Sequence, residues 1–405
     1  MGRTQPTVIL PPASFRKDAR AKHAKATLNK TIPDLLKSNS RVRRGVDAAE
    51  VITNPPPSDQ KSQPVHQSTI RIRLQTTDAI TAAAQLSRES KAGDRNVAIL
   101  NMASPLVPGG GFLNGATSQE EFLCLRTTVL PSLKDEFYRL PELGGVYTPD
   151  VLVFRDGAGA DIPKRDRLWV DVISAGMLRF PETEVVEDEE QVAEIASDKD
   201  SEGEEVEEEA QRPTLQAVYA EQKDRDMAIA KMRAVMRILA AKGAQKVVLG
   251  AWGCGAYGNP VGEIARAWKK VLLEGDKKRK DKRNSNSQIA SWGPIKVVVF
   301  AIKERRMATG FGKSFGEPLI IEEAETASNQ TVEDDGALRA NVELQSKIKE
   351  LEEQIQHARS PQLRSGLEAL LANLRKQLPK SEDTDDAQAA VGKDRLDHES
   401  LEGSD

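Results

Sequence analysis

Two glycine-rich segments hold the residues with chemical potential. The first is Pro108-Gly109-Gly110-Gly111-Phe112-Leu113-Asn114-Gly115-Ala116-Thr117-Ser118-Gln119-Glu120-Glu121. The second is Gly250-Ala251-Trp252-Gly253-Cys254-Gly255-Ala256-Tyr257-Gly258-Asn259-Pro260. Each follows an apolar run and precedes a helical pattern. Glycines in such a place let the backbone approach a ligand and turn N–H groups toward an anion. The start of the following helix adds the positive end of its dipole. A diphosphate is the natural guest, and two such loops at one sheet edge can clamp a dinucleotide-like ligand from both sides. Neither segment is a Walker loop, because no Gly-Lys-Ser/Thr follows the glycines. Gly253 to Gly258 meets the G-x-G-x-x-G spacing of a Rossmann turn. It lies late in the chain, however, and lacks the second strand and the acid about 20 residues on that the fingerprint requires.

Each of these residues also has a reading without function. Ser118-Gln119-Glu120-Glu121 fits a capping box, S-x-x-E, which would explain Ser118 and Glu121 as the start of a helix. Gln119 serves either packing or ligand contact. Asn101, at the end of the apolar run Val97–Leu100, suits a turn, and Tyr257 suits loop packing. Cys254 reads as a small neutral loop residue rather than a nucleophile, because no histidine accompanies it. The four histidines, His23, His66, His357 and His398, lie outside the patterned core, which excludes a histidine triad or a histidine-rich metal centre. Cys124 and Cys254 have no C-x-x-C spacing, which excludes a disulfide framework and a structural zinc site and fits a reducing compartment. Asp156 and Asp171 receive no role, and Phe300 is read as core.

The compound pattern of Gly109-Gly110-Gly111, seven residues, then Gln119-Glu120-Glu121 resembles the poly(ADP-ribose) glycohydrolase catalytic domain, most closely its microbial-type branch. The strand ending in Asn101 and the downstream glycine loop with its aromatic also match macrodomain ligand loops. The resemblance covers roughly residues 65–310. It implies a macrodomain-like three-layer α/β/α sandwich with a mixed sheet. It implies that Glu121 acts on the ribose–ribose bond, that Glu120 orients the terminal ribose and that Asn101 contacts the same ribose. Gly109, Gly110, Gly111 and Phe112, with Gln119 beside them, and Gly253, Cys254, Gly255, Ala256, Tyr257 and Gly258 would line the ADP-ribose site, Tyr257 against the distal ribose. No metal and no cofactor are implied.

Glycosidic cleavage needs a proton for the leaving oxygen and a stabilised oxocarbenium-like transition state. A carboxylic acid supplies that proton and then, as carboxylate, activates water. The donor must hold its proton near neutral pH. Burial and a neighbouring carboxylate favour that, while a helix N-terminus opposes it.

The elements around these loops alternate. Thr69–Leu74 has period two and reads as a half-exposed strand, and Thr77 or Asp78 caps a helix to about Ser90. Val97–Leu100, Val151–Phe154, Leu168–Ser174, Lys246–Gly250 and Ile295–Ile302 read as strands. Gln119–Leu130, Thr214–Lys242 and Val261–Leu273 read as helices. Strands alternating with helices give an α/β fold. With charged residues at 30% and aromatics at 4%, the 405-residue chain is too polar for one compact body. The expected organisation is a basic N-terminal extension over 1–62, as solvated arm or helical cap, then a macrodomain over 63–318. A disordered acidic insert over 182–212 and a basic loop over 269–288 interrupt it. A linker over 319–337, a helical hairpin or coiled coil over 338–379 and a disordered tail over 380–405 follow. The hairpin rests on the heptad seam Leu344, Ile348, Leu351, Ile355 and Ala358, then a second stripe from Leu363 to Leu378.

Fifteen acidic residues between Glu182 and Glu209 are too charged to bury, and eight basic residues between Lys269 and Arg283 read as a solvated loop or a nuclear import signal. Met1-Gly2 opens like a myristoylation signal, but Pro6 stands where Ser or Thr is needed. No apolar run is long enough for a signal peptide or membrane span. The expected protein is soluble and intracellular, in nucleus or cytoplasm. Its partners are ADP-ribose or an ADP-ribosylated protein or polymer, with no membrane and no base-specific nucleic acid contact. Three functions compete: an ADP-ribose glycohydrolase, an ADP-ribose reader without turnover, and a scaffold that self-associates through 338–379.

Overall fold

The computed structural model describes residues 13–56, 70–91, 93–187, 215–275, 292–322 and 371. The chain divides into one unit of residues 17–329 and another that joins residues 1–16 to 330–405. Of the second unit, only the helical residues 13–16 and Leu371 are described. Leu371 apart, the heptad pattern and the tail lie outside the described residues, as do acidic residues 188–214 and basic residues 276–291.

The larger unit is built on an eight-stranded mixed sheet. Its strands are β1 (Glu50–Thr53), β2 (Arg71–Gln75), β3 (Val97–Met102), β4 (Gly144–Val153), β5 (Leu168–Ala175), β8 (Lys246–Leu249), β9 (Val297–Ala301) and β10 (Ile320–Glu322), while β6 (Thr183–Glu187) and β7 (Leu215–Tyr219) form a separate antiparallel pair. The order is β1-β4-β5-β3-β8-β9-β2-β10. The six strands from β5 to β10 in that order are parallel, and β4 runs against β5 and β1.

The alternation of side chains along the central strands explains the three layers, because successive residues face opposite sides. On one face Ala98, Leu100, Val247, Leu249, Val298 and Phe300 pack under three helices, α6 (Gln222–Ala241), α7 (Val261–Glu274) and α8 (Arg305–Phe315). On the other, Val97, Ile99, Val248, Val297 and Val299 pack under α4 (Ala79–Arg88) and α5 (Gln119–Arg126). Asp78 caps α4 by accepting from the N–H groups of Ile80 and Thr81 at 2.9 Å each.

The N-terminal segment is a cap, not a solvated arm. After α1 (Ala13–Ala26) come a π-helical turn (Thr27–Thr31), α2 (Ile32–Ser38) and α3 (Ser40–Asp47). Ile32, Leu35 and Val42 are buried against Leu152 and Phe154 of the β4 hairpin, and β1 extends the sheet beside β4. Arg41 forms an ion pair with Asp150 at 2.5 Å and lies 4.2 Å over the Trp169 ring. Asp171 closes the same region, accepting from the Tyr147 hydroxyl at 2.7 Å and from Asn96 at 2.8 Å. The globular body therefore starts well before residue 63.

Four other boundaries move for tertiary reasons. Helix α5 ends at Arg126, where Thr127 turns extended and bridges to Val153, rather than at Leu130. Leu215–Tyr219 forms strand β7 because it pairs with β6, so α6 begins at Gln222 rather than Thr214. By the same pairing Thr183–Glu187, read as part of the disordered insert, is ordered strand. Ile320–Glu322, read as linker, adds a parallel edge strand beside β2.

Val42 is fully buried between α3 and β4. Val42→Asp places an unpaired charge there and is expected to lower the melting temperature by about 5 °C or more. Thermal unfolding followed by circular dichroism checks this; an unchanged midpoint would restore the solvated-arm reading.

Candidate active site

β3 and β8 are parallel neighbours, so the loops that follow them leave the same edge of the sheet side by side. From β3 the chain moves to β4 and β5 on one side, and from β8 it moves through α7 to β9 on the other. This is a topological switch point, where the carboxyl ends of the strands leave a crevice for a ligand. Met102 at the end of β3 lies against Gly250 at the start of the second loop.

The first loop is anchored by the helix that follows it. Gln119 spends its whole amide on β3: its oxygen accepts from the Met102 N–H at 2.9 Å and its nitrogen donates to the Leu100 carbonyl at 2.8 Å. That double bond to the strand fixes the start of α5 and aims the next two residues. Glu120 is buried and accepts from the Ser104 N–H at 2.7 Å. Glu121, also buried, accepts from the Gly111 N–H at 2.7 Å and from the Ser118 hydroxyl. Gly110 stands between the two carboxyl groups at φ +57°. A Cβ there would fall 2.7 Å from Glu121 Oε1 and 2.8 Å from Glu120 Oε2, so only glycine fits. Phe112 is buried beneath, against Leu123 and Cys124.

These bonds dispose of the capping box. A true box has the serine oxygen accepting a helix N–H and the glutamate accepting the serine N–H. Here the Ser118 side chain accepts nothing from the helix, and Glu121 reaches into the glycine loop. Asn101 is fully buried and donates to Ser174 Oγ at 3.0 Å, while its Oδ1 has no partner among the described residues. Glu120 Oε1 is orphaned in the same way, as is the Tyr138 hydroxyl. Asn101 Oδ1, Glu120 Oε1 and the Tyr138 hydroxyl are thus buried polar atoms left to bond a further group.

The second loop is held by Asn259, which donates to the carbonyls of Leu178 and Gly253 and accepts from the Tyr219 hydroxyl at 2.7 Å. Cys254 and Gly258 N–H groups close turns within the loop. Among the described residues no acceptor is bonded to the N–H groups of Gly255, Ala256 and Tyr257, and open space surrounds the Cα of Gly255 and of Gly258. In the first loop, by contrast, the N–H groups of Gly110 and Phe112 close turns and that of Gly111 serves Glu121. The uncommitted anion donors thus sit on the second loop and the acids on the first.

Phe180 and Arg179 join this site from β5. The Phe180 N–H donates to the Tyr257 carbonyl at 3.0 Å, and the two rings meet edge to face with centroids 6.1 Å apart. The Arg179 guanidinium lies 5.5 Å from each ring. Phe180 is 67% exposed. Nothing in its local sequence marks it, since only the path of the chain leaving β5 brings it beside Tyr257. Tyr138, just after the turn Asp135–Phe137 and ahead of β4, likewise has no local mark of its place near Glu120.

Burial, and then the neighbouring Glu121 carboxylate, push Glu120 up from 4.5 to about 8, against the Ser104 and Gly109 N–H groups and the Asn101 side chain, which pull it down. Burial pushes the Cys254 thiol up to about 12, and burial with the two nearby glutamates holds Cys124 well above its ordinary range. Both cysteines are neutral thiols, poor nucleophiles by that measure.

The family model "Microbial-type PARG, catalytic domain", where PARG is poly(ADP-ribose) glycohydrolase, matches residues 21–156. That span takes in most of the N-terminal cap, the glycine triplet and both glutamates but not the second loop, and it begins earlier than residue 65. No curated protein sequence matches the chain. The fold is similar to the crystal structure of poly(ADP-ribose) glycohydrolase from Thermomonospora curvata, with 21% identity, 74% of this chain and 100% of that chain covered, and a TM-score of 0.52. It is similar also to that enzyme bound to the inhibitor ADP-HPD, with 22% identity, the same coverage and a TM-score of 0.50.

Because the folded state favours the neutral form of Glu120, its contribution to stability is complete below pH 4.5 and is lost as the pH rises through about 8. Glu120→Gln removes that loss. Melting curves of the two proteins are expected to differ little at pH 5, and the variant is expected to melt about 5 °C higher at pH 8.5. Parallel curves across this range would mean Glu120 titrates normally.

Proposed function

We propose that this protein is an ADP-ribose glycohydrolase that cleaves the glycosidic bond at the terminal ribose of poly(ADP-ribose) or of ADP-ribosylated protein. The observation that carries the reading is the pair of buried carboxyls wrapped around Gly110 on one loop, with uncommitted backbone donors on the loop that leaves the neighbouring strand at the switch point. The diphosphate lies against the N–H groups of Gly255, Ala256 and Tyr257, with Gly109 to Phe112 opposite. Tyr257 packs on the distal ribose. The adenine joined to that ribose then falls on Phe180 and Arg179, an exposed ring and a cation that suit a purine face. At the other end Glu120 and Asn101 Oδ1 meet the hydroxyls of the terminal ribose.

Glu121 is the acid and base. Its carboxyl gives a proton to the leaving oxygen as the bond from that oxygen to the anomeric carbon breaks. Water adds to the carbon and returns a proton to the carboxylate, so the residue ends as it began. The ligand's own diphosphate stabilises the positive ribose.

The N-terminal cap bears on which bonds are reached. The Arg20 side chain donates to the Gly115 carbonyl at 2.8 Å, and Gly115 packs against the Lys17 carbonyl. Helix α1 thus walls one side of the first loop, which favours chain ends or single units over internal sites. The basic run from Lys277 to Arg283 suits an intracellular, nuclear or cytoplasmic protein. No described helix is long and apolar enough to cross a membrane.

Wild-type protein is expected to release free ADP-ribose, and not internal fragments, from polymer. Glu121→Ala is expected to lose at least about a thousandfold in kcat while retaining ADP-ribose binding by calorimetry. Binding without release by the wild type would identify a reader. Phe180→Ala is expected to weaken ADP-ribose binding about tenfold, the loss of one stacked base; unchanged affinity would place the adenine elsewhere.

A further inference from the structure

We infer that Ser118 is a positioning residue, whose hydroxyl holds the second oxygen of the Glu121 carboxyl and so sets the plane in which that group faces the crevice. The inference rests on the glycohydrolase reading above. Three features converge on it. Ser118 is the residue preceding α5, with extended backbone at φ −73° and ψ 178°, yet its side chain makes none of the bonds a helix-capping serine makes. Its hydroxyl goes instead to Glu121 Oε2. Glu121 Oε1 is held independently by the Gly111 N–H at 2.7 Å.

One bond leaves a carboxyl free to pivot about the bonded oxygen, and two bonds from different directions fix its plane. Ser118 can serve as the second point because its backbone is itself fixed: its carbonyl accepts the Phe122 N–H at 3.0 Å, and the next residue is tied to β3 through the amide of Gln119.

The chemistry of the two partners differs. A backbone N–H only donates, so Gly111 suits an unprotonated oxygen. A hydroxyl both donates and accepts. Ser118 can donate to a lone pair of Oε2 when Glu121 is the base and keep that bond when Oε2 carries the proton aimed at the leaving oxygen, so the carboxyl holds its orientation through both halves of the reaction. Ser118 is exposed while Glu121 is buried, so the hydroxyl also closes the solvent side of the carboxyl.

The test is steady-state release of ADP-ribose from polymer by full-length wild type, Ser118→Ala and Ser118→Thr, with ADP-ribose affinity and melting temperature measured on each. Ser118→Ala is expected to lower kcat about tenfold, the loss of one hydrogen bond to a charged group, with KM and ADP-ribose affinity unchanged. Ser118→Thr, which keeps the hydroxyl, is expected to restore most of the rate. A fall in melting temperature with kcat intact in Ser118→Ala would reduce Ser118 to a helix start, and failure of Ser118→Thr to recover while folded would also overturn the proposal. An inactive wild type would instead defeat the glycohydrolase reading.

Discussion

Glu120 and Glu121 lie on either side of one α-carbon, that of Gly110, inside a body that excludes most water. Two buried carboxylates at such a separation repel, and the environment is costly for even one charge. The arrangement survives because the surroundings treat the two acids unequally. Both oxygens of Glu121 receive a donor, the Gly111 N–H on one and the Ser118 hydroxyl on the other. Glu120 is buried with one oxygen unpartnered among the described residues, and that burial holds its proton until the pH nears 8 although the Ser104 and Gly109 N–H groups and the Asn101 side chain favour the anion. Much of the local architecture can be understood as a means of keeping that asymmetry, from the bracing of α5 against β3 to the burial of Phe112 beneath the loop.

The division of labour between the two loops follows from the same geometry. A loop that must wrap two acids uses its N–H groups on them and on its own turns. A neighbouring loop without acids can leave its donors uncommitted. Placing the two side by side at the ends of β3 and β8 puts two buried carboxyls beside a set of uncommitted backbone N–H groups. The ligand proposed above, negative in the middle and cut at one end, matches such a layout. The segment leaving β5 completes the wall, since Asn259 and Tyr257 tie it to the second loop through Leu178 and Phe180.

The N-terminal cap has a structural and a steric role together. Its apolar residues cover the β4 edge of the sheet, and buried Arg155 binds it to the body, donating to Thr27 Oγ1 at 3.0 Å and to the Leu125 carbonyl at 2.6 Å. The same cap brings α1 against the first loop. One segment thus both covers apolar surface and contacts the first loop at Gly115.

What the amino-acid sequence determined by itself was whatever rests on short-range physics. Continuous apolar runs marked β3, β8 and β9 because strands buried on both faces leave no polar alternation. Asp78 marked the start of α4, and glycines that must admit backbone or carboxylates marked both loops. The α/β class and the two glycine loops were legible from those signals, while the macrodomain-like sandwich and the roles of the two glutamates were what the family resemblance implied. The tertiary structure alone decided which competing local pattern prevailed. Ser118 and Glu121 fit a capping box in sequence, but the nearby Gly111 N–H and the pinning of Gln119 to β3 drew the glutamate away from its own helix. Leu215–Tyr219 joined a strand because Thr183–Glu187 was there to pair with it. Phe180 and Tyr138 carried no local mark, and the apolar run from Ile32 left the N-terminal segment open between solvated arm and helical cap. Their roles arise from contacts between residues distant in the chain, and such contacts exist only once the sheet has brought its strand ends together.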